Sequence, residues 1–152
     1  MLSVSVNPEA VFAALEYVFF IIYQYLKDND TDLHIAKIKK AYGEQLRTMA
    51  ECIDKYFPAG VSRTHPRGGM FIWAEWPEGI SARKVLDQAM QEKVIFVPGD
   101  PFYVNRRDTN TMRLNFSCTG EEVIRDGIKR LGKAIDTVLN DTNSHGAMTG
   151  GK

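Results

Sequence analysis

The run Thr111-Met112-Arg113-Leu114-Asn115-Phe116-Ser117 alternates apolar and polar side chains. Met112, Leu114 and Phe116 fall on one side, and Arg113, Asn115 and Ser117 on the other. Period-two alternation is the mark of a strand with one buried face. Arg113 sits mid-strand on the polar side, on backbone that a sheet holds stiffly. A planar guanidinium held in this way suits a two-point grip on a carboxylate. The plain alternative is a surface arginine in an ordinary ion pair, since charged side chains mostly stay in water.

Upstream of this strand, Val94-Ile95-Phe96-Val97 is almost wholly apolar and predicts a short strand buried on both faces, stopped by Pro98-Gly99. Met70 to Trp76 predicts another strand, entered through Pro66-Arg67-Gly68-Gly69 and ended by Pro77-Glu78-Gly79. Val61 to Thr64 predicts a further short one. Gly68 and Gly69 fit either a simple turn or a close approach of the backbone to another group. Met70, Phe71 and Trp73 read as packing residues.

Four helices surround these strands. Asn7-Pro8-Glu9 starts the first, which runs to about Lys27. The second covers about Leu33 to Tyr56, with a cap from Asp30, Thr31 or Asp32. Its apolar stripe is Ile35, Ile38, Tyr42, Leu46, Met49, Ile53 and Phe57. Ser81 caps a third helix, which turns Val85, Leu86, Ala89 and Met90 inward. Thr119-Gly120-Glu121-Glu122 has the spacing of a capping box. It opens a last helix to about Leu139, with Val123, Ile128, Leu131, Ile135 and Val138 inward. Gly127 and Gly132 suggest close packing there. The expected fold is α+β: a small, mainly antiparallel sheet with helices packed mostly on one face. The expected divisions are an apolar N-terminal helix over 1–30, the main domain over 31–139 and a disordered tail over 140–152.

Composition narrows the function. At 152 residues the main body is one domain by size, and 44% hydrophobic residues give it a core. The 19 basic and 19 acidic residues cancel, which argues against nucleic acid as a partner. Lys37, Lys39 and Lys40 read as a solvated helix face. Cys52 and Cys118 form no CxxC and lie in apolar stretches, so they read as reduced core thiols of a cytoplasmic protein. His34, His65 and His145 are too scattered for a metal site. His65, before a proline and with no acid adjacent in sequence, is not read as catalytic. Val11 to Leu26 is strongly apolar, but Glu16 and several tyrosines interrupt it. It lacks the basic start of a signal peptide and about 20 uninterrupted apolar residues for a membrane span. It reads as a buried helix.

Three segments in a fixed order carry a resemblance: Pro66-Arg67-Gly68-Gly69-Met70-Phe71-Ile72-Trp73, Val97-Pro98-Gly99-Asp100-Pro101-Phe102-Tyr103-Val104, and Met112 to Ser117. Together they resemble the C-terminal small domain of fold-type I pyridoxal-phosphate-dependent aminotransferases, nearest to the aminoadipate/kynurenine group. The resemblance covers roughly residues 30 to 139. It implies that Arg113 binds the α-carboxylate of the substrate in the intact enzyme. It places Phe102 near the substrate side chain and Asn115 on the same face as Arg113. It also implies pyridoxal phosphate as cofactor, amino-acid and 2-oxo-acid substrates, and a homodimer. The Ser-x-Ser-Lys-like loop that carries the cofactor lysine in this family has no counterpart here, so the chain alone is expected to be inactive. A missing large domain would supply that lysine and cover the apolar first helix, which otherwise exposes a sticky stripe. Two alternatives are a stand-alone carboxylate-binding or dimerisation module and the C-terminal piece of an aminotransferase-like transcriptional regulator.

Overall fold

The computed structural model describes residues 7–105 and 109–146. The chain divides into two compact units, Met1–Lys40 and Ala41–Lys152. In the first, α1 (Pro8–Asp28) starts where Asn7 Oδ1 accepts the Glu9 N–H, with Pro8 in the first turn. None of its residues is buried, and Phe12, Phe19 and Phe20 are each more than 60% exposed. The helix read as buried therefore stands open on this chain. By length and composition alone α1 could cross a membrane. The next helix, α2 (Thr31–Tyr56), begins where Asp30 Oδ1 accepts the Leu33 N–H at 3.0 Å. It runs on into the second unit, where Met49, Cys52 and Ile53 enter the core.

The second unit holds a four-stranded sheet in the order β1-β2-β4-β3, antiparallel throughout. Its strands are β1 (Ser62–Arg63), β2 (Phe71–Glu75), β3 (Val97–Pro98) and β4 (Thr111–Asn115). Ile72, Ala74, Met112 and Leu114 line one face and are buried. Against that face lie α2, α3 (Ala82–Gln91) and α4 (Glu121–Gly146), with Val85, Ala89, Ile128, Leu131 and Ile135 completing the core. The α+β architecture with helices on one face is as expected.

Several details differ from the sequence reading. Only Val97–Pro98 pairs as a strand, and it lies at the sheet edge, so Ile95 is 78% exposed although Phe96 is buried. An edge strand has one side without a neighbour, and apolar composition cannot reveal that. In α3 Met90 faces solvent, and in α4 Ile124 is buried where Val123 was expected. Cys52 is buried, whereas Cys118 is exposed just beyond β4. The capping box is not used in the expected way. Gly120 O takes the Ile124 N–H, and Glu121 accepts from Thr48 Oγ1 at 2.7 Å, tying α4 to α2. Finally, α4 continues past Leu139 to Gly146.

Gly132 lets α4 approach the end of α2: a Cβ there would collide with the Tyr56 carbonyl. Around Gly127 nothing lies within 4 Å of such a Cβ, so no close packing explains it. Gly69, at φ +82°, lies in a bend before β2, and a Cβ there would also meet nothing within 4 Å.

Candidate carboxylate site on the open sheet face

The face of the sheet away from the helices carries Phe71, Trp73 and Arg113. Trp73 is directly opposite Arg113 in the β2–β4 pairing, and Phe71 is opposite Asn115. Directly opposed residues in an antiparallel pair share a face, and diagonal neighbours come within reach of long side chains. The Arg113 guanidinium accordingly lies over the Phe71 ring, 4.2 Å from its centre. Phe102, from the short 3-10 turn η1 (Asp100–Phe102), covers it from another direction at 4.5 Å. Trp73 meets the Phe102 ring edge-on at 5.2 Å. Each cation–aromatic contact contributes about 0.5–2 kcal/mol, depending on how far water is excluded.

Two aromatic rings thus lie within 4.5 Å of the guanidinium carbon, and a guanidinium's N–H groups point along its own plane. In-plane donors are what a carboxylate uses in a two-point bond. Among the described residues, none of the ion pairs involves Arg113, whereas Arg63, Arg83, Arg125 and Arg130 each pair with an acid. Arg113 itself is half-buried.

The other sequence candidates fall as follows. Phe102 is in the site and 45% exposed, stacked on the outer face of the sheet. Asn115 is exposed beside it, but its Oδ1 accepts the Ser117 N–H at 2.7 Å and the Ser117 hydroxyl at 2.9 Å. That oxygen closes the end of β4, and no hydrogen bond joins it to Arg113. Among the described residues no group of three or more potential ligands could hold a metal.

Four further residues support this arrangement. Phe71 and Trp73, read as packing residues, stand on the same face as Arg113: the Phe71 ring lies against the guanidinium and Trp73 against the Phe102 ring. Asp100 and Asn110 hold its loop. Asn110 Nδ2 donates to the Trp76 carbonyl and, at 3.3 Å, to Glu75 Oε1, while Asn110 O takes the Trp76 N–H.

Pyridoxal phosphate needs a lysine amine for its covalent link and an acid at its ring nitrogen. Every described lysine is exposed, and the rings around Arg113 supply neither group. The described residues do not fit the cofactor, although they do fit a carboxylate.

No family model matches the chain. Aromatic-amino-acid aminotransferase 1 of Thermococcus litoralis is 43% identical over 76% of the chain, which covers 28% of that protein. Among solved structures, the α-aminoadipate aminotransferase LysN of Thermus thermophilus superposes with a TM-score of 0.75 at 35% identity, over 78% of this chain and 30% of that one. The kynurenine aminotransferase of Pyrococcus horikoshii gives 0.72 at 41% identity, over 77% and 29%. The chain spans less than a third of the length of these relatives. A more distant match is the HTH-type transcriptional regulator YjiR of Escherichia coli, 28% identical over 67% of the chain and 22% of the regulator. In sheet and in sequence the chain matches the C-terminal small domain of fold-type I aminotransferases, of which it spans under a third. Among these, the similarity runs to the aminoadipate, kynurenine and aromatic aminotransferases.

Proposed function

We propose that the chain is the small-domain part of an enzyme that moves an amino group reversibly between an amino acid and a 2-oxo acid. Arg113 binds the α-carboxylate of the substrate, Phe102 contacts its side chain and Asn115 borders the same site. Pyridoxal phosphate and the lysine that holds it belong to a large domain outside these 152 residues, so the chain alone does not turn over substrate. The intact enzyme is a cytoplasmic homodimer, and the large domain covers the apolar surface of α1.

The observation that carries this reading is the state of Arg113: ring-braced, outward-facing and outside the ion pairs of the described residues. Amino transfer requires the substrate to be held so that its Cα–H bond aligns with the reacting system. A two-point clamp on the carboxylate fixes that angle.

Titrating the 15N-labelled chain with 2-oxoglutarate tests the reading. The Arg113 Nε–H signal should move saturably while other arginine signals stay in place. Equal movement of all arginine signals, or none, would count against it. Added cofactor and amino donor should give no turnover with the chain alone, and robust turnover would contradict the placement of the lysine elsewhere.

The similarity to YjiR supports a second reading, the C-terminal piece of an aminotransferase-like regulator. The gene sequence upstream of Met1 separates the two. A cofactor-lysine loop fits both, whereas a DNA-binding helix-turn-helix at the far N-terminus belongs only to the regulator.

A further inference from the structure

We propose that Asp100 is a positioning residue that sets Phe102 over the Arg113 guanidinium and so keeps the arginine fork in one orientation. The proposal rests on the reading of Arg113 given above. Asp100 opens η1, and Phe102 ends it two residues later. Its carboxylate ties the two ends of the loop together: Oδ1 accepts the Thr109 N–H at 2.8 Å and the Thr109 hydroxyl at 3.0 Å. The other oxygen, Oδ2, accepts Arg83 Nε at 2.8 Å, which joins the turn to the start of α3.

These partners are themselves fixed. Thr109 is 1% exposed, and its carbonyl takes the Ala82 N–H at 2.8 Å. The Gly99 N–H donates to Thr111 O at 2.8 Å, on β4 itself. Gly99 lies so close to the strand that a Cβ would collide with Thr111 Oγ1. Pro101 is a stiff spacer between Asp100 and Phe102, because its ring locks φ. The Phe102 N–H closes the turn on Gly99 O at 2.9 Å. Movement of the Asp100 side chain is therefore passed to the Phe102 ring with little slack. That ring rests on both Trp73 and Arg113.

The consequence is geometric. Two rings lie against the guanidinium, and losing Phe102 leaves Phe71 alone beside it. A carboxylate that needs two parallel N–H bonds then meets an arginine that must be ordered at the moment of binding, at an entropic cost.

The test is the NMR signature of Arg113 in the 152-residue chain. Aromatic rings stacked on a guanidinium displace the neighbouring Arg113 δ-proton and Nε–H signals upfield. Asp100→Ala should remove about half of that displacement, as Phe102→Leu should, while signals of the buried Ile72 and Leu131 stay in place. An Arg113 displacement unchanged in Asp100→Ala overturns the proposal. Should Asp100→Ala fail to fold, Asp100→Asn is read instead: it keeps the shape, weakens the charge-assisted bonds and should lose part of the displacement. An unchanged signal in Asp100→Asn likewise overturns it. Failure of the carboxylate reading looks different. In that case the ring displacement responds to Asp100 as expected, yet 2-oxoglutarate leaves the Arg113 signal of the wild-type chain unmoved.

Discussion

The Arg113 guanidinium carbon lies 4.2 Å from the centre of the Phe71 ring, and the two residues stand on neighbouring strands one diagonal step apart. Their relation follows from sheet register. With Trp73 opposite Arg113, Phe71 becomes its diagonal neighbour on the same face. A one-residue slip would send Arg113 into the core and bring Met112 out. The buried set Ile72, Ala74, Met112 and Leu114 opposes that slip, so the hydrophobic core on one face fixes the polar geometry on the other.

Gly127 and Gly132 of α4 should respond in opposite ways to alanine. Gly132→Ala forces a methyl against the Tyr56 carbonyl and should destabilise the chain by about 1–3 kcal/mol. Gly127→Ala meets nothing within 4 Å and should stabilise it by roughly 0.5–1 kcal/mol, because glycine is a poor helix former. Urea unfolding of both variants checks the pair, and equal signs would refute the packing argument.

Asn110→Ala should cost about 1–3 kcal/mol by leaving the buried Trp76 carbonyl without its amide donor. Thermal unfolding followed by tryptophan fluorescence measures the loss. A variant as stable as wild type would show that water replaces the amide without penalty.

Stability should fall as pH drops below about 4. Bonds to Arg63 hold the Asp54 carboxyl below its usual range. The Thr109 N–H and then Arg83 do the same for Asp100. Each group thus has a lower pKa folded than unfolded. Its contribution is present above the unfolded value and is lost as pH falls through the folded one. Urea midpoints measured from pH 6 to pH 3 should decline, and Asp100→Asn should flatten part of the slope. A slope identical in that variant would remove Asp100 from the acid response.

Much of this was legible in the chain. Alternation around Arg113 gave the correct buried and open faces, because a half-buried strand cannot hide its period. Asn7, Asp30 and Ser81 all cap helices as their positions suggested, since a side-chain oxygen before a helix has a local task. What failed depended on distant partners. The run Val94–Val97 looked like a central strand, but edge and centre differ only in what lies alongside. Thr119 looked like a cap, yet the α4 terminus is fastened by Thr48 from another helix. Val123 and Ile124 are adjacent, and the helix rotation that chooses between them is set by packing against the sheet. Asp100 and Thr109 are nine residues apart, and no local pattern announces their bond.

The most direct measurement of the central claim is the steady-state kinetics of Arg113→Gln in the intact enzyme, with kcat and KM determined for both amino acid and 2-oxo acid. Loss of the carboxylate grip should raise KM and lower kcat/KM by roughly 30- to 1000-fold, or about 2–4 kcal/mol. A kcat/KM equal to wild type for both substrates would contradict the account and leave Arg113 as a surface residue braced by two rings.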